Sequence, residues 1–357
     1  MKKVMIAMSG GVDSSVAAAL LKEKGYEVIG GTMHIFPDYE EATDREDHCC
    51  SYSALRDAKR VAQKLDIPHF VFNLKDEFQE KVIDYFVDEY SRARTPNPCV
   101  MCNKKIKFDA LLRKAREIGC EYIATGHYSK IEKNNGRYLL KKGHDQSKDQ
   151  SYMLYVLNQE QLSRTLFPLG DFTKEEIRQK AKELGFEIHN KAESQEICFV
   201  PDDDYVRFLD KNYPEISQPG PILDSEGNKV GTHAGISNYT IGQRRGLGVA
   251  LGYPAYVVEL DPENNAVILG KDQAVFSKAL IAEDINIIPF SSLDGKMEVA
   301  AQIRYNSYPV PAVIENTGED KIKVEFKEPQ RAVTPGQSVV FYLDDLVLGG
   351  GIIKESF

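Results

Sequence analysis

Apolar residues in the first third of the chain follow two alternating patterns. Short continuous apolar runs are typical of buried parallel strands, and they occur at residues 4–7, 28–33, 70–72 and 122–124. Between these runs apolar residues recur every three or four positions, as Val12, Val16 and Leu20 do, which predicts amphipathic helices. Alternating strands and helices predict the α/β class with a doubly wound parallel sheet, which binds ligands at the carboxyl ends of its strands.

The pattern changes along the rest of the chain. Thr173 and Glu176 are spaced as a capping box at the start of another helix. Beyond residue 204 helical periodicity fades, and short apolar runs separated by glycine and proline predict a small, mainly β domain at 205–273. Alternation becomes clear after residue 273, which predicts a closed antiparallel β-barrel at 274–357. We therefore predict three domains, the first of which is the α/β domain at 1–204.

Length and composition restrict the class of protein. With 357 residues, 42% of them hydrophobic, the chain is long enough for two or three domains with real cores. No apolar run reaches the ~18 residues of a membrane span, and the core strand at Val4 leaves no room for a signal peptide. Six cysteines without a secretory signal favour a reducing compartment. We expect a cytoplasmic protein, monomeric and without a membrane partner.

The charge is acidic on average and basic in one place. A net charge of −9 and a pI near 5.4 argue against a general nucleic-acid-binding protein. Residues 92–116, however, contain eight basic residues and a single acidic one, Asp109. This stretch is either a solvated helix face or a local positive surface for nucleic acid, and its position beside two cysteines favours the second interpretation.

The loop between the first strand and the first helix is the most informative motif. It reads Met8-Ser9-Gly10-Gly11-Val12-Asp13-Ser14. Glycines let backbone N–H groups approach an anion, and a helix N-terminus offers unpaired donors and partial positive charge. A P-loop would need a lysine here and a Rossmann loop would need a third glycine, so neither motif is present. An ordinary βα turn remains the structural alternative, because serine, aspartate and glycine are common there.

The loop resembles the PP-loop of the ATP pyrophosphatases. In that family, serines and glycines hold the phosphates of ATP, which is cleaved between its α and β phosphates to adenylate a substrate oxygen. Beside so much negative charge, the Asp13 carboxylate is expected to lie near Mg²⁺.

Cysteines are the second source of chemistry. Cys99 and Cys102 stand at the predicted start of a helix with several lysines close by, so we expect lowered thiol pKa values and more thiolate. A lone Cys-x-x-Cys also occurs in redox, zinc and iron–sulfur sites, but the zinc alternative lacks a second such pair. Cys198 follows a strand-like stretch and can reach the same sheet edge, which suits sulfur transfer through a persulfide.

Three cysteines carry no such prediction. Cys120 precedes a core strand and is interpreted as a small buried hydrophobe. Cys49 and Cys50 lie in a loop before a helix and receive no role.

Further motifs in the same order make the resemblance specific and extend it over essentially the whole chain. They are Thr95-Pro96-Asn97-Pro98, Cys102-Asn103, Ala124-Thr125-Gly126-His127-Tyr128, Lys148-Asp149-Gln150-Ser151-Tyr152, residues 195–199, residues 242–248 and Thr334-Pro335-Gly336-Gln337. Together with the PP-loop they resemble the tRNA-specific 2-thiouridylases. The resemblance implies ATP-dependent insertion of sulfur at C2 of the wobble uridine in tRNAs of the Lys, Glu and Gln type.

The resemblance also implies roles for individual residues. The ATP-binding set is Ala7, Met8, Ser9, Gly10, Gly11, Val12, Asp13, Ser14, Met33 and Gly126. Cys102 is implied as the nucleophile and Cys198 as the persulfide carrier, loaded by a sulfur-relay protein or a cysteine desulfurase. The implied tRNA-contact set is Asn97, Pro98, Cys99, His127, Lys148, Asp149, Gln150, Arg304, Tyr305 and Gln337. Some members have aspartate at the position of Cys99, so its role as an acid or base does not carry over.

Three alternatives stay open at this point. A sulfur-free PP-loop ligase or amidotransferase would adenylate a substrate for attack by an amine, and its thiols would be dispensable. A tRNA-docking protein with a vestigial nucleotide site is the second alternative, which the intact Ser9, Asp13 and Ser14 disfavour. The third concerns mechanism: Cys99, Cys102 and Cys198 could hold a [4Fe–4S] cluster with one open iron.

Overall fold

The computed structural model describes residues 1–35, 52–191, 197–200, 203–318 and 320–357. Cys49, Cys50, the acidic loop at 38–47 and Gln195 lie outside the described residues. The chain divides into two compact units. The first comprises residues 1–83, 98–203 and 345–348, and the second comprises residues 84–97, 204–344 and 349–357. The predicted boundaries of the three domains stay a prediction.

A five-stranded parallel sheet forms the centre of the first unit. Its strands are β1 (Lys3–Ala7), β2 (Glu27–His34), β3 (His69–Asn73), β4 (Tyr122–Ala124) and β7 (Thr165–Leu166). They are ordered β3-β2-β1-β4-β7, so that β1 pairs with β2 on one side and β4 on the other. The chain therefore runs outward from β1 through β2 to β3 and returns to β4 on the other side of β1, so the strand order reverses between β1 and β4, the position at which open parallel sheets bind ligands. The predicted α/β class and parallel sheet are confirmed.

Helices of the first unit follow the predicted amphipathic pattern. They are α1 (Val12–Glu23), α2 (Tyr52–Lys64), α3 (Lys75–Phe78), α5 (Pro98–Cys102), α6 (Leu111–Glu117), α7 (Gln159–Ser163) and α8 (Lys174–Glu183). Val16, Leu20, Ile177 and Ala181 belong to one core cluster, in which α1 packs against α8. Burying each such aliphatic side chain contributes about 1.5–3 kcal/mol, which fixes the two helices side by side.

Two segments of this unit differ from the regular helices that the periodicity predicts. The turns at Gln79–Ile83 and Asn103–Ala110 are π-helical, the first after α3 and the second between α5 and α6. A wider turn inserts a residue without breaking the helix and shifts the side chains that follow it. The polar stretch after β4 also contains a hairpin that the pattern did not reveal, formed by β5 (Ser129–Asn134) and β6 (Arg137–Lys142).

The second unit contains the central and C-terminal β-structures. The central sheet is ordered β10-β11-β8-β9, from β8 (Gly220–Leu223), β9 (Lys229–His233), β10 (Tyr256–Asp261) and β11 (Ala266–Gly270). The strands of the predicted barrel are β12 (Phe276–Ile287), β13 (Lys296–Gln302), β14 (Val310–Gly318), β15 (Lys321–Arg331), β16 (Ser338–Leu343) and β17 (Leu346–Ser356). They run β12-β15-β14-β13-β16-β17, and β12 pairs with β17 to close the barrel. The mainly β central module and the closed antiparallel barrel are therefore confirmed.

We expected helical structure to fade beyond residue 204, but the first element after that residue is a helix. Helix α9 (Tyr205–Asn212) begins there, capped by the Asp204 side chain, which accepts the Arg207 N–H at 2.9 Å. The second unit also contains α4 (Asp84–Ser91), where Phe86 meets Phe208 with ring centroids 6.3 Å apart. Aromatic contact with α4 stabilises α9, which is too short to form on propensity alone. Among the described helices, none has the length and apolar character needed to cross a membrane.

Candidate active site

The PP-loop forms a closed cradle at the end of β1. Gly10 adopts φ +68°, where a Cβ would lie 2.2 Å from the Ala54 carbonyl oxygen, so this position requires glycine. The Ser9 N–H donates to Ser14 Oγ at 3.2 Å, and Ser14 Oγ donates to the Gly11 carbonyl at 3.2 Å. These bonds hold the loop in the shape in which the first N–H groups of α1 face an anion.

Gly126 brings the end of β4 against this cradle. A Cβ on Gly126 would lie 2.8 Å from the Ser14 nitrogen and 2.9 Å from the Asp13 carbonyl carbon. Such a close approach is possible only for glycine, and it leaves a surface shaped for a ligand between β1 and β4. Met33 lies near the carboxyl end of the neighbouring strand β2. The structure thus places three parts of the predicted ATP set, the loop, Met33 and Gly126, on adjacent strands.

Asp13 is held by Tyr128, the last residue of the 124–128 motif, and by Lys174, which no motif indicated. Lys174 Nζ donates to both Asp13 carboxylate oxygens at 2.8 Å, and Tyr128 Oη donates to Asp13 Oδ1 at 2.8 Å. Because Mg²⁺ takes carboxylate oxygens at short distances in an octahedral shell, it needs an open oxygen. Both oxygens accept hydrogen bonds in this arrangement, so direct coordination would require Lys174 or Tyr128 to give way, and Mg²⁺ near Asp13 stays a prediction.

Cys102 ends α5, where the helix widens into its π turn. Cys99 is exposed and Cys102 is half-buried, so both thiols of the Cys-x-x-Cys are accessible from solvent. The neighbouring Asn103 is 2% exposed, and its Nδ2 donates to the Met153 carbonyl at 2.9 Å. Anchoring Asn103 fixes the helix turn that carries Cys102, and the role of Cys102 as the nucleophile stays a prediction.

Cys198 precedes Phe199, whose ring packs against α3. Phe199 meets Phe78 of α3 edge to face, with ring centroids 5.7 Å apart. The π turn that follows α3 packs in turn against α5, the helix of Cys102. Cys198 is half-buried and, like the other described cysteines, is present as a thiol. One chain of contacts therefore connects the surroundings of the two predicted sulfur residues.

The described cysteines do not form a metal centre. Among the residues that the structure describes, no three His, Cys, Asp or Glu side chains are grouped so that they could hold a metal ion. Cys99, Cys102 and Cys198 are therefore not arranged as ligands of a zinc ion or a [4Fe–4S] cluster. The residues do not fit either group, and no step is derived through one.

His127 is buried beside the sheet rather than presented to solvent. Its Nδ1 shares a hydrogen bond with Thr125 Oγ1 at 2.7 Å, and its ring lies 5.9 Å from the rings of Phe108 and Phe167. Burial holds the pKa of His127 well below its ordinary value, and Lys107 lowers it further. A neutral imidazole is therefore the stable form at neutral pH.

The pKa of His127 predicts a pH-dependent stability. An unfolded histidine binds a proton near pH ~6.5, whereas the folded one resists protonation, so the stabilisation is complete above that pH and is lost as the pH falls. Below about pH 6.5, the free energy of unfolding should therefore fall as the pH falls. We expect His127→Gln to make this fall less steep by up to about 1.4 kcal/mol per pH unit. Urea unfolding at several pH values measures the slope. The exposed His144→Gln is the control, and equal slopes in both variants would contradict the prediction.

The predicted tRNA residues at 148–150 are fixed against the segment after His127. The Gln150 N–H donates to the Tyr128 carbonyl at 3.0 Å, and the Tyr128 N–H donates back to Gln150 Oε1 at 3.1 Å. Asp149 accepts hydrogen bonds from the Gly143 N–H and the Ser151 hydroxyl, while burial raises its pKa. These polar atoms shape the loop, and contact of Lys148, Asp149 and Gln150 with tRNA stays a prediction.

In the second unit, a barrel loop holds the segment that precedes Pro98. Gln337 Nε2 donates to the Thr95 carbonyl at 2.9 Å and to the Pro96 carbonyl at 3.1 Å. The Thr95 N–H donates to the Pro335 carbonyl at 2.9 Å. A Cβ on Gly336 would lie 2.9 Å from the Thr95 nitrogen, so the two backbones touch. Gln337 thus positions residues 95–97, and its contact with tRNA stays a prediction.

Replacing Gln337 separates these two roles. Gln337→Ala removes two hydrogen bonds, each contributing about 0.5–1.5 kcal/mol, so we expect amide exchange in residues 91–97 to accelerate roughly tenfold. Hydrogen-exchange mass spectrometry without RNA measures the effect. Gln218→Ala, at an exposed position in the same unit, should leave the exchange unchanged. Unchanged exchange with weaker tRNA binding would instead assign Gln337 to RNA contact alone.

Arg304 and Tyr305 lie on another barrel loop. Arg304 Nη2 donates to the Ala332 carbonyl and, at 3.1 Å, to Thr334 Oγ1. Tyr305 is 36% exposed, so its ring is accessible for stacking on a base. Arg304 therefore orders the loop that contains Thr334, and Tyr305 is the more accessible of the two predicted tRNA contacts.

Carboxylates offset much of the basic stretch at 92–116. In the described part of the chain its ion pairs are Arg92–Asp88, Arg94–Glu89, Arg94–Glu283, Arg113–Glu77, Arg113–Asp109, Lys114–Glu117 and Arg116–Glu160. The local positive charge is therefore smaller than the run of basic residues suggests, because many of the acidic partners lie outside it in sequence. Whether the stretch meets tRNA stays a prediction.

A glycine-lined anion cradle at the switch point of a parallel sheet, with accessible thiols in the same unit, defines a nucleotide-binding α/β protein of the PP-loop class. Family models agree with this class. The tRNA methyl transferase HUP domain matches residues 2–202, the tRNA methyl transferase PRC-barrel domain matches residues 207–271, and the aminomethyltransferase β-barrel domain matches residues 277–353.

Curated relatives make the assignment specific. The tRNA-specific 2-thiouridylase MnmA of Halothermothrix orenii is 60% identical over 358 residues, covering 100% of both chains. The protein of that name from Clostridium perfringens is 55% identical over 354 residues, covering 99% of each. The chain belongs to the tRNA-specific 2-thiouridylase family, which confirms the resemblance and the expectation of a sulfurtransferase enzyme.

Likeness to solved structures is much weaker. A 4-thiouridine synthetase solved in complex with RNA and bound ATP is 21% identical, with a TM-score of 0.39, and the match covers 60% of this chain and 51% of that one. A similarity this weak indicates nothing about function.

Proposed function

We propose that the chain catalyses ATP-dependent 2-thiolation of the wobble uridine of tRNA. The observation that carries the proposal is the presence, in one compact unit, of the Ser9–Ser14 cradle closed by Gly126 and of the accessible thiols Cys102 and Cys198. A nucleotide site alone would suit many ligases, and thiols alone would suit many redox proteins. Their combination in a member of the 2-thiouridylase family supports adenylation followed by sulfur transfer.

The first step activates the base. The C2 oxygen of uridine attacks the α-phosphate of ATP, which forms the adenylated base and releases pyrophosphate. The N–H groups of the PP-loop stabilise the negative charge on the phosphates. Adenylation converts a poor leaving group, the C2 oxygen, into AMP. The wobble base has to leave the anticodon stack to reach the site, and exclusion of water protects the adenylate from hydrolysis.

The second step delivers sulfur. The terminal sulfur of a Cys198 persulfide attacks C2, and AMP leaves with the former C2 oxygen. The Cys102 thiolate then attacks Cys198 Sγ, so the S–S bond of the adduct breaks and its outer sulfur remains on the base as the thiocarbonyl. The two thiols are thereby oxidised to a disulfide, and an external thiol reductant returns both to thiols before Cys198 is loaded again.

The partners follow from this sequence of steps. Cys198 requires a persulfide donor, which we propose to be a sulfur-relay protein or a cysteine desulfurase. The tRNA would be contacted by the predicted set around Asn97, His127 and residues 148–150, and by Tyr305 on the barrel. A cycle that regenerates thiols with a thiol reductant is consistent with a reducing cytoplasm.

A labelled assay tests the proposal against a sulfur-free ligase. The chain is incubated with ATP, a cysteine desulfurase, cysteine and a tRNA whose wobble uridine carries ¹⁸O at C2. We expect 2-thiouridine and AMP in equal amounts, with the ¹⁸O in the AMP. A tRNA with cytidine at the wobble position is the control. AMP formation without thiouridine, and dependent on an added amine, would replace the proposal by the ligase alternative.

A further inference from the structure

The nucleotide site contains a lysine that does not belong to its loop. A phosphate loop of the P-loop type brings its own lysine, whereas residues 8–14 contain none. Lys174, which lies 161 positions after Asp13, brings its Nζ to 2.8 Å from both carboxylate oxygens of that residue. The fold thus supplies a positive charge to the loop from a distant part of the sequence.

Helix packing determines the position of Lys174. Helices α1 and α8 lie side by side, and Asp13 and Lys174 both belong to the first turns of these helices. The Thr173–Glu176 capping box, in which the Thr173 N–H donates to Glu176 Oε2 at 2.7 Å, fixes the first turn of α8. The Lys174 N–H also donates to Asp145 Oδ2 at 3.0 Å. Contacts within the protein therefore fix the position of Lys174.

Burial makes this arrangement unlike a surface ion pair. Lys174 is 8% exposed, and fully enclosed lysines are rare unless they are paired. Its ammonium group lies 5.8 Å from the centre of the Tyr128 ring, and the Tyr128 hydroxyl donates to the same Asp13 carboxylate at 2.8 Å. The Asp13 side chain is 30% exposed. An ion pair in which one partner is buried is weak support for stability, because desolvation offsets the attraction between the charges. Stability alone therefore does not explain why the Lys174–Asp13 pair lies beside the phosphate cradle.

Electrostatics at the cradle supply that explanation. A carboxylate charge on Asp13, in the first turn of α1, would repel the phosphates of an ATP molecule bound at that helix N-terminus. An ammonium group bonded to both oxygens offsets that charge and fixes the orientation of the carboxylate. We propose that Lys174 is a positioning residue of the ATP site, which neutralises and orients Asp13 in place of a loop lysine. The inference rests on the proposed use of ATP and not on the sulfur steps.

The test measures ATP binding without tRNA, by isothermal titration of the full chain. Lys174→Met keeps the length of the side chain and removes its charge, so the bare Asp13 carboxylate is expected to weaken ATP binding by about tenfold or more. Lys174→Arg retains the charge and should restore most of the affinity. The matched control is Lys182→Met, an exposed lysine of the same helix, with wild-type affinity expected. Thermal melting of each variant confirms that it is folded at the titration temperature.

A double variant separates neutralisation from a structural tether. If Lys174 acts by cancelling the charge of Asp13, then Asp13→Asn added to Lys174→Met removes the repulsion and should recover ATP affinity relative to Lys174→Met alone. If the pair only joins α8 to α1, the single variant lowers the melting temperature and leaves ATP affinity unchanged, which overturns the proposal. No recovery in the double variant overturns it as well. Because the assay contains no sulfur donor, its result is independent of whether the chain thiolates tRNA.

Discussion

Cys102→Ser is expected to abolish sulfur transfer to tRNA while leaving adenylation intact. A serine hydroxyl cannot attack a disulfide sulfur at neutral pH, so the adduct between Cys198 and the base would not resolve, and we expect thiouridine formation to fall by at least about a thousandfold. The PP-loop and Gly126 are unchanged in this variant, so tRNA-dependent release of pyrophosphate should continue. Rapid-quench single-turnover reactions with ³⁵S-labelled persulfide and with ³²P-labelled ATP measure the two steps separately.

Cys198→Ser and Cys120→Ala complete this experiment. Cys198→Ser cannot accept the labelled sulfur at all, whereas Cys102→Ser should retain it on the protein, which orders the two thiols in the reaction. Cys120 is buried, and burial raises the pKa of its thiol, so Cys120→Ala is the matched control with near wild-type transfer expected. Thiouridine formation by Cys102→Ser at the wild-type rate would remove this cysteine from the mechanism.

Gly126→Ala is expected to weaken ATP binding by roughly 10- to 100-fold. The added Cβ would lie 2.8 Å from the Ser14 nitrogen and 2.9 Å from the Asp13 carbonyl carbon, and these two atoms belong to backbone that cannot move away as a side chain would. Overpacking of this kind costs about 1–3 kcal/mol, and here it displaces the N–H that receives the phosphates. Equilibrium titration with ATP measures the loss, and thermal melting shows whether the variant remains folded.

Gly136→Ala is the control for Gly126→Ala. Gly136 lies in the turn between β5 and β6 at φ +83°, where a Cβ meets nothing within 4 Å, so alanine strains only the local turn. We expect a small loss of stability and unchanged ATP affinity. If Gly126→Ala bound ATP as well as Gly136→Ala, the surface between β1 and β4 would not be the phosphate site.

Local features of the sequence were sufficient for most of the fold. The runs at 4–7 and 122–124 each form a strand, and the Thr173–Glu176 spacing forms a capping box, because each of these elements depends on residues that are close in the chain. Helix α9 was missed because it has only eight residues. A helix this short is stabilised mainly by contacts with residues remote in sequence, such as that of Phe208 with Phe86. The β5–β6 hairpin was missed for a related reason, because its strands are mostly half-exposed and polar.

For the candidate site, too, some features could be predicted from the sequence and others could not. The sequence alone indicated the PP-loop, the two candidate sulfur residues and the family, because several local motifs occur in the same order along the whole chain. Only the tertiary structure decided that Lys174 pairs with Asp13, that Gln337 bonds to the backbone of residues 95 and 96 and that the His127 imidazole is buried. Each of these depends on side chains that are remote in sequence or on exclusion of water, which are properties of the packed chain and not of any local pattern.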